Sequence, residues 1–155
     1  MTLPPDCTIT HHPAADESLQ LDHLLWDVLW RPLGLPRDFR ESVKQGGPEY
    51  EVVARGCGRV IGGIVATRTS RSAVEIRHIA VLPEVQGQGV GSRLVASLAA
   101  VVYGEGCTRI TTVARNTSAG FFARLGFTAV PDTVPPHPGF IGHGISFLRM
   151  EQQIG

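Results

Sequence analysis

Between Leu21 and Leu29 the apolar side chains fall at Leu21, Leu24, Leu25, Val28 and Leu29. That i, i+3, i+4, i+7, i+8 spacing turns one face of a helix toward a core. Asp16-Glu17-Ser18 opens this helix, which is predicted to run to about Trp30, where Pro32, Gly34 and Pro36 break it. A short strand over 7–12 is expected before it, with a helical turn over 38–42 and a loop over 45–48 after it. From Tyr50 the period changes to two. Strands are predicted over 51–55, 59–69 and 74–82, with Gly56-Cys57-Gly58 as a hairpin turn and Pro83 closing the third strand. A helix over 90–103 carries Leu94, Val95, Leu98 and Val102 on one face and stops at Gly104-Glu105-Gly106. A strand over 107–115, a short helix over 118–125 and a strand over 127–130 follow. A loop over 131–144, with four prolines and three glycines, leads to a last strand over 145–151. This order predicts an α/β (α+β) fold, a mixed and mostly antiparallel central sheet of six to seven strands with helices on both faces.

At 155 residues the chain suits one domain, residues 1–155, large enough to bury about two thirds of its unfolded surface. The 14 basic and 14 acidic side chains cancel, and neither sign forms a long block, which argues against a nucleic-acid partner. Cys7, Cys57 and Cys107 are far apart and odd in number, so they are read as buried or half-buried free thiols rather than a disulfide framework or a metal site. No stretch approaches the ~20 apolar residues of a membrane span, and no signal peptide is evident. The expectation is a cytoplasmic protein without metal. A homodimer stays open.

The chemistry concentrates in Pro83-Glu84-Val85-Gln86-Gly87-Gln88-Gly89-Val90-Gly91-Ser92, between a strand and a helix. Alternate glycines let the backbone approach a ligand, and the helix start supplies unpaired N–H groups and a positive dipole end. The result suits a phosphate. A Walker A loop would need Gly-Lys-[Ser/Thr], and no lysine is present. The dinucleotide fingerprint would need glycine at Ser92.

The segment Ile79 to Leu94 resembles the central motif of GCN5-related N-acetyltransferases (GNAT), with Gln86, Gly89 and Gly91 at its defining positions. Phe121-Phe122-Ala123-Arg124-Leu125-Gly126-Phe127 resembles the family's second block, and Gly144-Ile145 followed by Met150 its closing strand. The resemblance implies the acyl-CoA N-acyltransferase (GNAT) fold and binding of acetyl-CoA as co-substrate. It implies that the amides of Gly87, Gln88, Gly89, Val90, Gly91 and Ser92 bind the pyrophosphate, with the Gln86 side chain near the phosphates. Ile79 and Val81 would pair with the pantetheine arm, the Val81 amide polarising the thioester carbonyl. Asn116 would contact CoA or cap the short helix. Phe122 stands where many relatives place a tyrosine that protonates the departing thiolate. It can pack on pantetheine but has no proton to give.

An ammonium cannot attack a thioester, so a base or a water chain must deprotonate the acceptor. Strand alternation sets Glu75, Arg77 and Ile79 on one face and Ile76, His78 and Ala80 on the other. Some relatives place their base on this strand at the positions of Glu75 and Arg77, which makes Glu75 the first candidate. His78 is the weaker one, turned away unless a bulge reverses the register. His137 and His143 flank the loop that edges the acceptor pocket in relatives. Trp26, Trp30 and Phe39 belong to an acceptor wall or to core packing. The leading expectation is transfer of acetyl from acetyl-CoA to a primary amine by direct attack. A small-molecule amine is favoured over a protein, since no acidic groove for basic tails is visible. The alternatives are a non-catalytic acyl-CoA-binding sensor or regulatory module and a plain nucleotide-binding module.

Overall fold

The computed structural model of the chain describes residues 6–44, 46–132, 134–135 and 137–155. Gln45 of the expected loop 45–48, and Thr133 and Pro136 of the loop 131–144, lie outside them. The elements are β1 (Thr8–Thr10), α1 (Ala15–Leu25), α2 (Phe39–Ser42), β2 (Glu49–Gly56), β3 (Arg59–Arg68) and β4 (Ala73–Val81). They continue with α3 (Val90–Gly104), β5 (Arg109–Arg115), α4 (Ala119–Arg124), β6 (Thr128–Ala129) and β7 (Phe147–Gln153). The seven strands form one sheet in the order β1-β2-β3-β4-β5-β7-β6, and every neighbouring pair is antiparallel except β4 with β5. The mixed sheet expected from the hydrophobic pattern is therefore present.

Helices cover both faces. On one side α3 packs Val90, Leu94, Leu98 and Val102 against Val52, Ile61, Ile64, Val74 and Ile76. On the other, Leu21, Leu24 and Leu25 of α1 meet Val53, Val65 and Ala80. β3 runs through the middle and is buried from Val60 to Thr67, as its near-continuous apolar run requires. The hairpin turn also forms where expected, with Cys57 and Gly58 both at positive φ, the type I′ geometry that matches strand twist. That places Cys57 at an exposed tip, against the expectation of a buried or half-buried thiol.

Two departures shape the site. The predicted helix 16–30 is α-helical only to Leu25. Trp26–Trp30 forms a π-helical turn, in which the Arg31 N–H donates to the Trp26 carbonyl. A 3-10 turn, Arg31–Leu33, ends at left-handed Gly34. The second departure is a bulge in β4. Val65 pairs with His78 and Ala66 with Ile76, so Arg77 is an extra residue. A bulge inverts the alternation beyond it. His78 therefore joins Glu75 on the α1 face, packing edge-on against Trp30 with ring centroids 5.0 Å apart, while Ile79 moves to the α3 side. Strict parity had put them the other way round.

Candidate active site

β4 and β5 pair only from Ala73/Arg109 to Ile76/Thr112, after which the sheet forks. The Thr112 hydroxyl closes the vertex by donating to the Ile76 carbonyl at 3.2 Å. Beyond the vertex, the Leu82 N–H donates to Ile61 on the β3 side at 2.9 Å. By alternation the backbone groups of Ile79 and Val81 point the opposite way, into the fork. The fork is thus lined by strand N–H and C=O groups that β5 does not use.

A groove of about 630 Å³ runs from this fork to the start of α3. Ile79, Val81, Gln86, Gly87, Gly89, Val90, Gly91 and Ser92 line it. Gly87 and Gly89 have φ of 79° and 86°, which L side chains adopt only under strain, and a Cβ at either would meet nothing within 4 Å. The loop therefore stands open toward the groove. Arg93 is the first residue of α3 whose N–H reaches back to its cap, Gly89, at 3.0 Å. The N–H groups of Val90, Gly91 and Ser92 are left for a ligand. These features fit the pyrophosphate of CoA.

The remaining candidates differ in placement. Gln86 lines the groove, and its side-chain amide donates to the Val81 carbonyl at 2.9 Å, tying the loop to β4. Gln88 does not line the groove, and its Oε1 is buried without a partner among the described residues. Asn116 neither caps α4, whose cap is Ser118, nor lines the groove. It is spent on the entry to β7, donating to the Gly144 carbonyl at 3.3 Å and accepting from the Ser146 N–H at 3.1 Å. Phe122 is 2% exposed, packed between Phe121 and Phe127, and lines a second cavity instead of the groove. Its neighbour Phe121 faces the groove and crowds Gly91, where an added Cβ would lie 3.0 Å from the ring. The sequence signal for Phe121 was its place in the same aromatic block.

The second cavity, about 290 Å³, lies on the α1 side of the fork. Glu75, Arg77, His78, Trp30, Phe39 and Phe140 are among its walls. Glu75 is buried and accepts from Arg77 Nη1 at 2.6 Å, and Arg77 also donates to the Val43 carbonyl at 3.0 Å. Burial, reinforced by the Arg77, Arg40 and Arg115 cations, pushes His78 down to about 3, so its ring is neutral at pH 7. His137 lines the cavity and accepts the Gly139 N–H on Nδ1 at 3.0 Å, whereas His143 is exposed and away from it. Trp30 belongs to the wall. Trp26 does not, since it lies beneath Arg31 and Arg37 and donates to Leu35. Neither tyrosine lines either cavity: Tyr50 bonds Glu105 at 2.6 Å and Tyr103 is exposed.

Leu29, Ile79, Arg115 and Ser118 line both spaces, so groove and cavity meet there. Arg115 and Ser118 carry no motif that marks them in the sequence; only the fork brings them to the junction. Among the described residues no cluster of His, Cys, Asp and Glu stands ready to hold a metal, and no helix is long and apolar enough to cross a membrane.

This forked sheet with a glycine loop at its open end is the fold of known acetyltransferases. An aminoglycoside 6'-N-acetyltransferase complexed with coenzyme A superposes with a TM-score of 0.75 at 17% identity, over 96% of this chain and 97% of that one. The ribosomal-protein-S18-alanine N-acetyltransferase of Escherichia coli gives 0.75 at 20% identity, over 96% and 94%. By sequence, a serotonin N-acetyltransferase 2 of rice (Oryza sativa subsp. japonica), described as chloroplastic, is 27% identical over 128 residues. That match takes in 79% of this chain and spans 60% of the rice protein's length. Residues 48–129, just over half of the chain, match the family model described as "Acetyltransferase (GNAT) domain". The chain belongs to the GNAT acetyltransferase family.

Proposed function

We propose that this protein transfers the acetyl group of acetyl-CoA to the primary amine of a small molecule. The observation that carries this reading is the continuity of the two spaces. A groove with free amides for a pyrophosphate leads through the fork to a smaller cavity lined by a carboxylate. Residues 1–155 act in this reading as one GNAT domain. The amides of Val90, Gly91 and Ser92 hold the pyrophosphate, and the fork-facing groups of Ile79 and Val81 align the pantetheine arm. The Val81 N–H, aimed at the carbonyl oxygen, stabilises the charge that develops there. Phe121 and Phe122 pack along the arm and beneath the thioester. Gln88 and Asn116 support the loop and the β7 entry from outside the groove.

Glu75 takes the proton of the acceptor nitrogen, and Arg77 fixes the orientation of its carboxylate. The freed nitrogen forms a bond to the acetyl carbon, the carbon–sulfur bond breaks with its electron pair going to sulfur, and the nitrogen's remaining excess proton passes to water or to the thiolate. His78, held near 3, is too weak a base for this task and serves as packing beside Glu75. No tyrosine is needed, because a thiol with a pKa of about 8.5 leaves as the thiolate. A small acceptor agrees with a cavity of about 290 Å³ and with the amine in the rice relative's name. The test is free-thiol release from acetyl-CoA across a panel of small amines, alongside acetyl-CoA binding by calorimetry. Tight binding with no amine consumed makes the protein an acyl-CoA sensor and overturns the proposal.

A further inference from the structure

Arg115 is the charged group at the junction that the transfer reaction leaves unused. β5 alternates so that Ile110, Thr112 and Ala114 are buried, while Arg115 emerges from the opposite face at the open end of the fork. Two contacts hold it. Nη2 donates to the Leu29 carbonyl at 2.9 Å, a group carried by the π-helical turn, and the guanidinium sits 5.0 Å from the centre of the Phe140 ring. Its surroundings are dry enough to lower its pKa through desolvation. A guanidinium has five N–H donors, and only the one toward Leu29 has a protein partner among the described residues.

The other cations around the cavity are paired. Arg77 is paired with Glu75 at 2.6 Å, and Arg149 with Asp132 at 2.8 Å and Glu75 at 4.0 Å. Arg40 is shared by Asp22, Glu49 and Glu51 at 3.2–3.5 Å. Arg115 meets no carboxylate among the described residues, and the remaining positions of the sequence contain no Asp or Glu. With His78 neutral, the described residues lining the cavity themselves carry Arg77 and Arg115 against the single carboxylate of Glu75, an excess of one positive charge. A bare alkylammonium entering it meets that excess unpaired. An acceptor with its own anion does not.

We infer that the acceptor is an α-amino acid with a large apolar or aromatic side chain, its carboxylate paired with Arg115 at the junction of groove and cavity. This rests on the amine-acetylation reading above and narrows the substrate class of the same site. The placement follows from connectivity. In an α-amino acid the carboxylate is one carbon from the amine, and Arg115 borders both the fork, where the thioester must lie, and the cavity. The side chain then extends among Trp30, Phe39 and Phe140, whose rings meet at 5.4–6.0 Å and leave an apolar space. Guanidinium is the right partner, because its planar fork matches a carboxylate through two parallel bonds.

The test compares matched pairs, L-phenylalanine with phenethylamine and L-tryptophan with tryptamine, on the wild-type protein and on Arg115→Gln and Arg115→Lys. For the wild type, kcat/KM for the amino acid is expected to exceed that for its decarboxylated partner at least tenfold. In Arg115→Gln the ratio within each pair falls ten- to a hundredfold, mostly through the acceptor KM, as expected for losing a hydrogen bond to a charged group. Arg115→Lys, which keeps the charge without the fork, falls between and serves if the glutamine variant does not fold. A ratio that stays constant while both members slow together means Arg115 only holds the π-helical turn, and overturns the inference. So does a rise in the acetyl-CoA KM with the ratio unchanged. Calorimetric binding of the same pairs in the presence of CoA reads the preference without turnover. Preference with no catalysis sinks the transfer reaction alone, whereas catalysis with no preference sinks the amino acid alone.

Discussion

The groove at the start of α3 and the second cavity share four residues but are made of different material. The groove is mostly backbone: the amides that open α3, the strand groups of Ile79 and Val81 that β5 leaves free, and two left-handed glycines that expose them. Its backbone wall is contiguous in sequence from Ile79 to Ser92, and side chains such as Leu29, Arg115 and Phe121 close the opposite side. The cavity is mostly side chains, and they come from segments far apart: Trp30 of the π-helical turn, Phe39 of α2, Glu75 and His78 of β4, Arg115 of β5 and Phe140 of the proline-rich loop. A backbone site needs a particular chain geometry and tolerates many side chains. A side-chain site needs particular neighbours, and those are fixed by packing. Different substitutions therefore alter the two spaces.

Substitutions can break that division, starting with the largest effect. Glu75→Gln is expected to lower kcat by 10²–10⁴-fold with the affinity for acetyl-CoA unchanged, measured by steady-state kinetics and calorimetry. A rate that stays the same across pH would remove Glu75 as the base and leave the proton to water. Gly89→Trp strikes the other half. It places a bulky side chain at a φ of 86° in the open loop, and a loss of acetyl-CoA affinity of at least a hundredfold is expected, about 2.7 kcal/mol. Normal binding by this variant would show that the pyrophosphate lies elsewhere.

The smallest effect probes the acceptor wall through stability. His78 titrates near 3 in the folded chain against 6.5 ordinarily. The unfolded chain therefore takes up a proton in that window while the folded one does not. Stability present above pH 6.5 is lost as the pH falls toward 3, by up to about 1.4 kcal/mol per unit from this group. Urea denaturation at pH 7 and pH 5 should show His78→Gln losing less stability than the wild type over the same interval. An identical loss would mean that His78 is solvated and not packed on Trp30.

Much of this molecule was legible in one dimension, because its determinants are local. The period-two runs from Tyr50 to Leu82 gave the central strands, and the spacing of Leu94, Leu98 and Val102 gave α3 and its buried face. The sequence from Gln86 to Ser92 specified a loop whose glycines bend the chain and whose amides at the helix start, Val90 to Ser92, lack helical partners, whatever surrounds it. Parity failed at Arg77, since a bulge is set by the fit of β4 on β3 and leaves no residue type as its mark. That single extra residue decided which face His78 occupies. The fork between β4 and β5 is likewise a property of two strands diverging after four paired residues, and no periodicity in either strand reports it. The place of Arg115, which meets no carboxylate among the described residues, follows from the fork. Local hydrogen bonding and side-chain period fixed the glycine loop in the sequence; long-range packing, which brings Leu29 to Arg115 across 86 positions, decided the second cavity.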